Sequence, residues 1–156
     1  MTTGICAPMR ALSFMAGEWK LDYTVTQRGQ TTRTVRGTGS LRYLFGETYL
    51  AFDYQVQEKD TGETIGEAHA VFAWDAKTQQ YRLYWFESSG TFQDARGVLA
   101  DDQTLALEWS DGNCTQIFRR ISDDAMYLEM RCSREDLLVR VDFSRVGGDP
   151  EAQNPG

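Results

Sequence analysis

The sequence is poor in cysteine, histidine, lysine and proline, and it has no long apolar run. Its 156 residues contain three Cys, one His and three Pro, and only Lys20, Lys59 and Lys77 are lysines. No apolar run approaches the roughly 18 residues of a transmembrane helix, so a helical membrane protein is not expected. No fixed period recurs, which argues against a repeat array. The length and the hydrophobic fraction of 41% are typical of one globular domain.

Basic charge is also scarce. The chain carries 23 acidic and 16 basic residues, which gives a formal net charge of -7. Nucleic-acid binding depends on clustered Lys and Arg that release counterions, and an anionic membrane surface attracts the same residues. We therefore expect no nucleic-acid partner and no membrane partner.

The N-terminus and the cysteines bear on the compartment. Met1 to Gly17 lacks the basic start and the continuous apolar core of a secretory signal. Cys6, Cys114 and Cys132 form no C-x-x-C pair and fit a reducing compartment, where thiols stay free. We therefore predict a cytoplasmic protein with no zinc or redox motif.

Two of the cysteines raise a second interpretation. If the strands around the Ser122-Asp123-Asp124 turn pair symmetrically about Asp123, Cys114 lies opposite Cys132. Opposed residues on antiparallel strands have Cα atoms about 4.5–5.5 Å apart, which is within disulfide range. A disulfide and two small buried thiols are the alternatives, and the inferred compartment favours the thiols.

Period-two alternation of apolar and polar residues is the dominant pattern of the chain. It predicts ten strands at 19–25, 31–45, 48–58, 64–75, 81–87, 91–99, 104–110, 114–121, 126–132 and 137–146. Most connections have about 2–5 residues, the length of hairpin turns. Gly37 and Gly39 are expected to mark a bend or bulge in the second strand. One short helix is predicted over 8–15, because Pro8 opens it and Gly17 follows it, and Leu12 and Met15 are spaced to cap a barrel end.

Up-and-down hairpins with long strands favour closure, since a closed barrel leaves no exposed edge. The predicted fold is all-β: a single antiparallel up-and-down β-barrel of about ten strands with one short N-terminal helix. The predicted organisation is an N-terminal segment at 1–16, a barrel domain at 17–146 and a flexible tail at 147–156, where Gly and Pro are frequent.

Two sets of residues resemble known families. Gly17-Glu18-Trp19, a Gly-x-Trp at the start of the first strand, resembles the calycin superfamily of lipocalins and fatty-acid-binding proteins. That resemblance implies a lipocalin-like barrel in which an Arg of the last strand, here Arg140 or Arg145, lies over the Trp ring. Nitrobindin-like haem proteins share this start motif but use a late histidine, and no histidine follows His69.

The middle of the chain is similar to an uncharacterised bacterial family of lipocalin-like barrels. The resemblance extends over about residues 10–146 and implies the fold without an activity. The residues that carry it are Trp74-Asp75-Ala76-Lys77, Tyr81, Tyr84-Trp85-Phe86-Glu87-Ser88-Ser89-Gly90 and Arg96-Gly97.

Aromatic side chains with a polar atom, and charges within strands, are the candidate ligand contacts. Tyr54, Tyr84 and Trp109 could line a cavity and still satisfy their own polar atoms. Arg96 shares a strand face with Phe92 and could hold a ligand carboxylate by a forked contact. The full predicted ligand-binding set is Tyr54, His69, Tyr84, Glu87, Phe92, Arg96 and Trp109.

Catalytic motifs are missing from the sequence. It contains no Gly-x-Ser-x-Gly, no His-Glu-x-x-His and no phosphate-binding glycine loop. His69 is the only histidine and has no second ligand at metal spacing, so we expect neither a metal nor a cofactor. It is either a ligand contact or a polar strand residue.

The predicted function is non-covalent binding of a small, mainly apolar molecule, with or without a carboxylate, inside the barrel. An interior below about 300 Å³ would make a drug-sized ligand implausible. One alternative is an enzyme with a charged pocket of Glu87, Arg96 and His69 at the barrel mouth. The other is a structural or partner-binding barrel with a filled core, which could form a homodimer through an exposed aromatic patch.

Overall fold

The ten predicted strands form one antiparallel barrel that closes on itself. The computed structural model describes residues 6–147. Each strand pairs with its neighbours in sequence, and β1 pairs with β10 to close the barrel, as the alternation predicted. The strands are β1 (Gly17–Gln27), β2 (Gln30–Leu44), β3 (Tyr49–Gln57), β4 (Thr64–Asp75), β5 (Gln80–Glu87), β6 (Phe92–Asp101), β7 (Thr104–Trp109), β8 (Cys114–Ser122), β9 (Ala125–Cys132) and β10 (Leu137–Arg145).

The N-terminal segment closes one end of the barrel, and the other end has no such plug among the described residues. Instead of one helix over 8–15, the structure has α1 (Ala7–Arg10) followed by a separate 3-10 turn (Ser13–Met15). The chain breaks at Leu12, whose amide bonds three residues back to the Met9 carbonyl, so the segment can bend across the barrel base. Met9, Leu12 and Met15 are all fully buried, which confirms the predicted cap.

Trp19 seals the closed end. Its side chain is 2% exposed, and its Nε1 donates to the Met15 carbonyl at 2.9 Å. The Arg145 guanidinium lies 4.2 Å from the centre of the Trp19 ring and donates to the Ala16 carbonyl at 2.6 Å. Gly17 has φ +136°, and a Cβ there would collide with Arg145. The Gly-x-Trp motif is therefore explained by this packing, and Arg145 takes the expected position.

Arg140, the other candidate for the Trp19 contact, lies elsewhere. Its guanidinium is 3.8 Å from the centre of the Tyr127 ring. It also pairs with Glu129 at 3.1 Å and Asp142 at 3.0 Å.

Cys114 and Cys132 form a disulfide, so the expectation of two free thiols was wrong. The predicted register is confirmed, since Cys114 on β8 pairs with Cys132 on β9 and their Cα atoms are 4.2 Å apart. The error came from the argument about compartment, because three cysteines in a sequence do not reveal their redox state. Cysteine usage therefore gives no support to a reducing compartment.

Gly37 and Gly39 lie in an unbroken stretch of the β1–β2 and β2–β3 ladders, so the predicted bulge is not at these positions. Both are buried, and a Cβ on Gly39 would come 2.9 Å from the Phe52 ring. The missing side chain gives that ring room inside the barrel.

The domain boundaries predicted at 1–16 and 147–156 stay predictions, because residues 1–5 and 148–156 lie outside the described part. Over residues 6–147, no helix has the length and apolar character needed to cross a membrane.

Candidate functional site

A small cavity, here called the upper chamber, lies inside the barrel toward the end opposite Trp19. Its volume is about 100 Å³. That is well below 300 Å³, so a drug-sized ligand does not fit wholly inside the barrel. An engineered apolar cavity of about 150 Å³ holds one benzene molecule, which sets the relevant scale. The lining residues are Tyr23, Tyr54, Trp85, Glu87, Gln93, Trp109, Gln116, Leu128, Met130, Val139 and Val141.

Aromatic rings form a continuous wall of the upper chamber. The ring centres of Tyr54 and Trp85 are 5.5 Å apart, and those of Trp85 and Trp109 are 6.0 Å apart in an edge-to-face arrangement. Phe52 stacks on Tyr54 at 5.1 Å. These contacts hold the rings in place, as expected for aromatic side chains in a core.

Two hydrogen bonds orient the tryptophans. Trp85 Nε1 donates to Glu87 Oε2 at 3.1 Å, and Trp109 Nε1 donates to Gln116 Oε1 at 3.0 Å. Gln116 is 3% exposed, and within residues 6–147 its Nε2 has no hydrogen-bond partner. A buried amide donor without a partner costs free energy, so this atom is the chemically unusual one in the chamber.

Two partly buried phenols, those of Tyr23 and Tyr54, line the same wall. Burial raises the pKa of Tyr54 to about 12; the neighbouring Tyr23 hydroxyl opposes this shift and the negative charge of Glu87 adds to it. Burial, with the adjacent Tyr54 as the next cause, raises the pKa of Tyr23 well above 10. Both side chains are therefore neutral hydroxyls at ordinary pH.

These raised pKa values predict a loss of stability at alkaline pH. Folding raises the pKa of Tyr54 from 10 to about 12. The stability that the neutral phenol contributes is therefore complete below pH 10, and it is lost as the pH rises from 10 toward 12. We expect the free energy of unfolding, measured in urea, to fall between pH 10 and 12. The fall should be smaller in Tyr54→Phe. If both proteins kept constant stability over this range, the assignment of a desolvated phenol at Tyr54 would be wrong.

A second depression, here called the outer groove, lies on the outer surface over β1 to β5. Its volume is about 590 Å³. His69 faces it, and Nδ1 of His69 lies 2.5 Å from Asp53 Oδ1. Ser40 Oγ donates to Glu18 Oε2 at 2.6 Å on the same surface. Glu87 at the barrel rim borders both the outer groove and the upper chamber.

The predicted ligand-binding residues fall into separate places. Tyr54, Glu87 and Trp109 line the upper chamber. Tyr54 and Glu87 also border the outer groove, where His69 lies beside Asp53.

The other three predicted residues lie on the outside of β5 and β6. Tyr84 is 43% exposed and Phe92 is 73% exposed, while Ala95, next to Arg96, faces inward. Phe92 pairs across the strands with Phe86, which is also exposed, so an aromatic patch does exist on this surface. The homodimer stays a prediction.

The three residues of the alternative enzyme site do not line one space. Glu87 and His69 share the outer groove, but Arg96 lines neither the groove nor the chamber. Across the described residues, no group of three or more His, Cys, Asp or Glu is placed to hold a metal ion.

Sequence reasoning missed Gln116 and Tyr23. Alternation on β8 places Cys114, Gln116 and Phe118 on one face, so an amide among inward residues was visible in the sequence. A buried polar side chain needs a partner, and that rule could have singled out Gln116. Tyr23 follows Trp19 and Leu21 on the inner face of β1 by the same argument.

Solved structures share the barrel at low sequence identity. Rv2717c from M. tuberculosis matches with a TM-score of 0.70 and 15% identity, over 91% of this chain and 99% of that one. The S-type phycobiliprotein lyase CPES from Guillardia theta matches with a TM-score of 0.66 and 9% identity, over 94% and 96%. The redesigned β-barrel mFAP0 bound to DFHBI has a TM-score of 0.50 and 11% identity, over 85% and 99%. At these identities the likeness shows the fold alone.

Comparison with curated protein sequences gives no significant match. A family model described as "Protein of unknown function (DUF1579)" matches residues 7–137. This range covers most of the barrel and agrees with the resemblance to an uncharacterised lipocalin-like family. The chain therefore belongs to the DUF1579 family.

Proposed function

We propose that the protein binds a small, mainly apolar molecule by taking one flat ring of it into the upper chamber. The observation that carries the proposal is the aromatic chamber itself, which is lined by Trp85, Trp109 and Tyr54 and lies at the end of the barrel that α1 does not plug. At about 100 Å³ the chamber is smaller than the roughly 150 Å³ cavity that holds benzene, so it admits at most one ring, and the rest of a larger molecule would extend through the mouth past Glu87.

One of the structurally similar barrels, the redesigned mFAP0, is bound to the small molecule DFHBI. That likeness supports the proposal at the level of the fold. Further support comes from the lining of the upper chamber. Besides the tryptophans, this lining contains four aliphatic or thioether side chains, those of Leu128, Met130, Val139 and Val141. Apolar walls with a few polar atoms are typical of small-molecule sites.

The charge of the lining favours a neutral ligand. Glu87 is the one charged side chain among the described residues that line the chamber. Arg96, which could have bound a carboxylate, is on the outer surface. An anion in this chamber would be repelled by Glu87 and would gain no cationic partner, so the proposal omits a ligand carboxylate.

Filling the chamber is the direct test. Phenylacetylene, a single ring with a short apolar substituent, should bind the wild type with a dissociation constant on the order of 0.1–1 mM, as expected for eight heavy atoms. Val139→Phe should weaken binding at least about tenfold, because the new ring occupies the chamber. The dissociation constants can be measured by calorimetry and by the quenching of tryptophan fluorescence.

The matched control is Val98→Phe, because Val98 is 47% exposed on the outer face of β6. It should bind phenylacetylene like the wild type. Benzoate should bind more weakly than phenylacetylene to the wild type and to Val98→Phe. Failure of phenylacetylene to bind the wild type, or equal binding by Val139→Phe, would contradict the proposed function.

A further inference from the structure

We infer that Gln116 makes the upper chamber selective for ligands whose ring carries a neutral hydrogen-bond acceptor, such as a carbonyl, a nitrile or a ring nitrogen. This inference rests on the proposed function and names the ligand class of the same site. It depends on the side-chain amide of Gln116, which is held inside the barrel on β8.

The orientation of this amide is set by Trp109. Trp109 Nε1 can only donate a hydrogen bond, and it lies 3.0 Å from Gln116 Oε1. The amide oxygen is therefore the atom that faces the indole, and the opposite rotamer would bring two donors together. The Nε2 donor is then directed away from Trp109, in a side chain that lines the chamber.

No described residue accepts from this donor. Gln116 Nε2 has no hydrogen-bond partner within residues 6–147, although the side chain is 3% exposed. The neighbours across the strands are Leu107 and Met130, which carry no strong acceptor in their side chains. A ligand atom that accepts from Nε2 would satisfy a group that is otherwise costly to bury.

The Trp85–Glu87 pair in the wall explains why the acceptor should be neutral. The Trp85 N–H is already occupied by the Glu87 carboxylate at 3.1 Å. That carboxylate borders the chamber and disfavours a second negative charge. Gln116 therefore offers a donor without a compensating cation, a combination that suits a neutral acceptor better than an anion.

Benzonitrile and phenylacetylene form a matched pair of probes. They have nearly the same shape, but only the nitrile nitrogen is a good hydrogen-bond acceptor. The wild type should bind benzonitrile about fivefold more tightly than phenylacetylene, the ratio expected for one buried hydrogen bond. Gln116→Met should bind both probes equally, while Gln103→Met, a control on the β6–β7 turn, should keep the preference.

A second readout covers the case in which Gln116→Met does not fold. In ¹⁵N-labelled wild type, the side-chain amide resonance of Gln116 should shift downfield with benzonitrile and much less with phenylacetylene. If Gln116 Nε2 kept a trapped water, the wild type would bind the two probes with equal affinity. That result would overturn the inference and leave the proposed function standing. Binding of neither probe would instead remove the proposed function.

Discussion

Replacing Trp19 by alanine is expected to lower the free energy of unfolding by about 3–5 kcal/mol, the usual cost of deleting a large buried ring. Trp19 is 2% exposed and packs edge-to-face on Phe143 with ring centres 5.9 Å apart. The substitution also removes the hydrogen bond to the Met15 carbonyl and the ring under Arg145. The free energy of unfolding of a typical domain is only about 5–15 kcal/mol, so the variant should be marginally stable.

Urea unfolding followed by circular dichroism would measure this loss. Trp74→Ala is the matched control, because Trp74 is only partly buried and packs on Tyr81 with ring centres 4.9 Å apart. Trp74→Ala should lower the free energy of unfolding clearly less than Trp19→Ala does. If the two substitutions cost the same, Trp19 would not be the residue that closes the barrel base.

Removing the disulfide should have the second largest effect. Cys114 and Cys132 are 18 residues apart in sequence. In the chain-entropy account, a cross-link over a loop of this length restricts the unfolded chain enough to stabilise the fold by about 3 kcal/mol. The double variant Cys114→Ala/Cys132→Ala should therefore unfold at a lower urea concentration than the oxidised wild type.

Reductant separates this effect from side-chain packing. The reduced wild type should lose about as much stability as the double variant, and the double variant should not respond to reductant. Cys6→Ala, which removes the free cysteine, should respond as the wild type does. Equal stability of the oxidised and reduced wild type would show that the cross-link contributes nothing.

The strands were predictable because their physical signal is local. Alternation between a buried and an exposed face repeats in every strand, and short turns between them allow only neighbouring strands to pair. The same logic fixed the register of β8 and β9 well enough to place Cys114 opposite Cys132.

The inner face of β5 was harder to predict. Tyr81, Leu83 and Trp85 point inward, but Tyr84 and Phe86 on the outer face are aromatic too. When both faces carry aromatic residues, alternation does not decide which of them lines a cavity. Tyr84 was therefore selected from the outer surface, and Trp85 was left out of the predicted ligand-binding set.

The size of the chamber lay beyond sequence reasoning. A cavity is the small difference between the barrel volume and the volume of the side chains inside it, and it depends on rotamers that a sequence does not show. Pairings between side chains distant in the chain, such as His69 with Asp53, depend likewise on strand register.

A crystal structure of the protein soaked with bromobenzene tests the central claim most directly, since the anomalous signal of bromine locates a single small ring. The account predicts one bromine peak inside the upper chamber, between Trp85 and Val139. A peak only in the outer groove beside His69, or no ordered bromine at all, would contradict it.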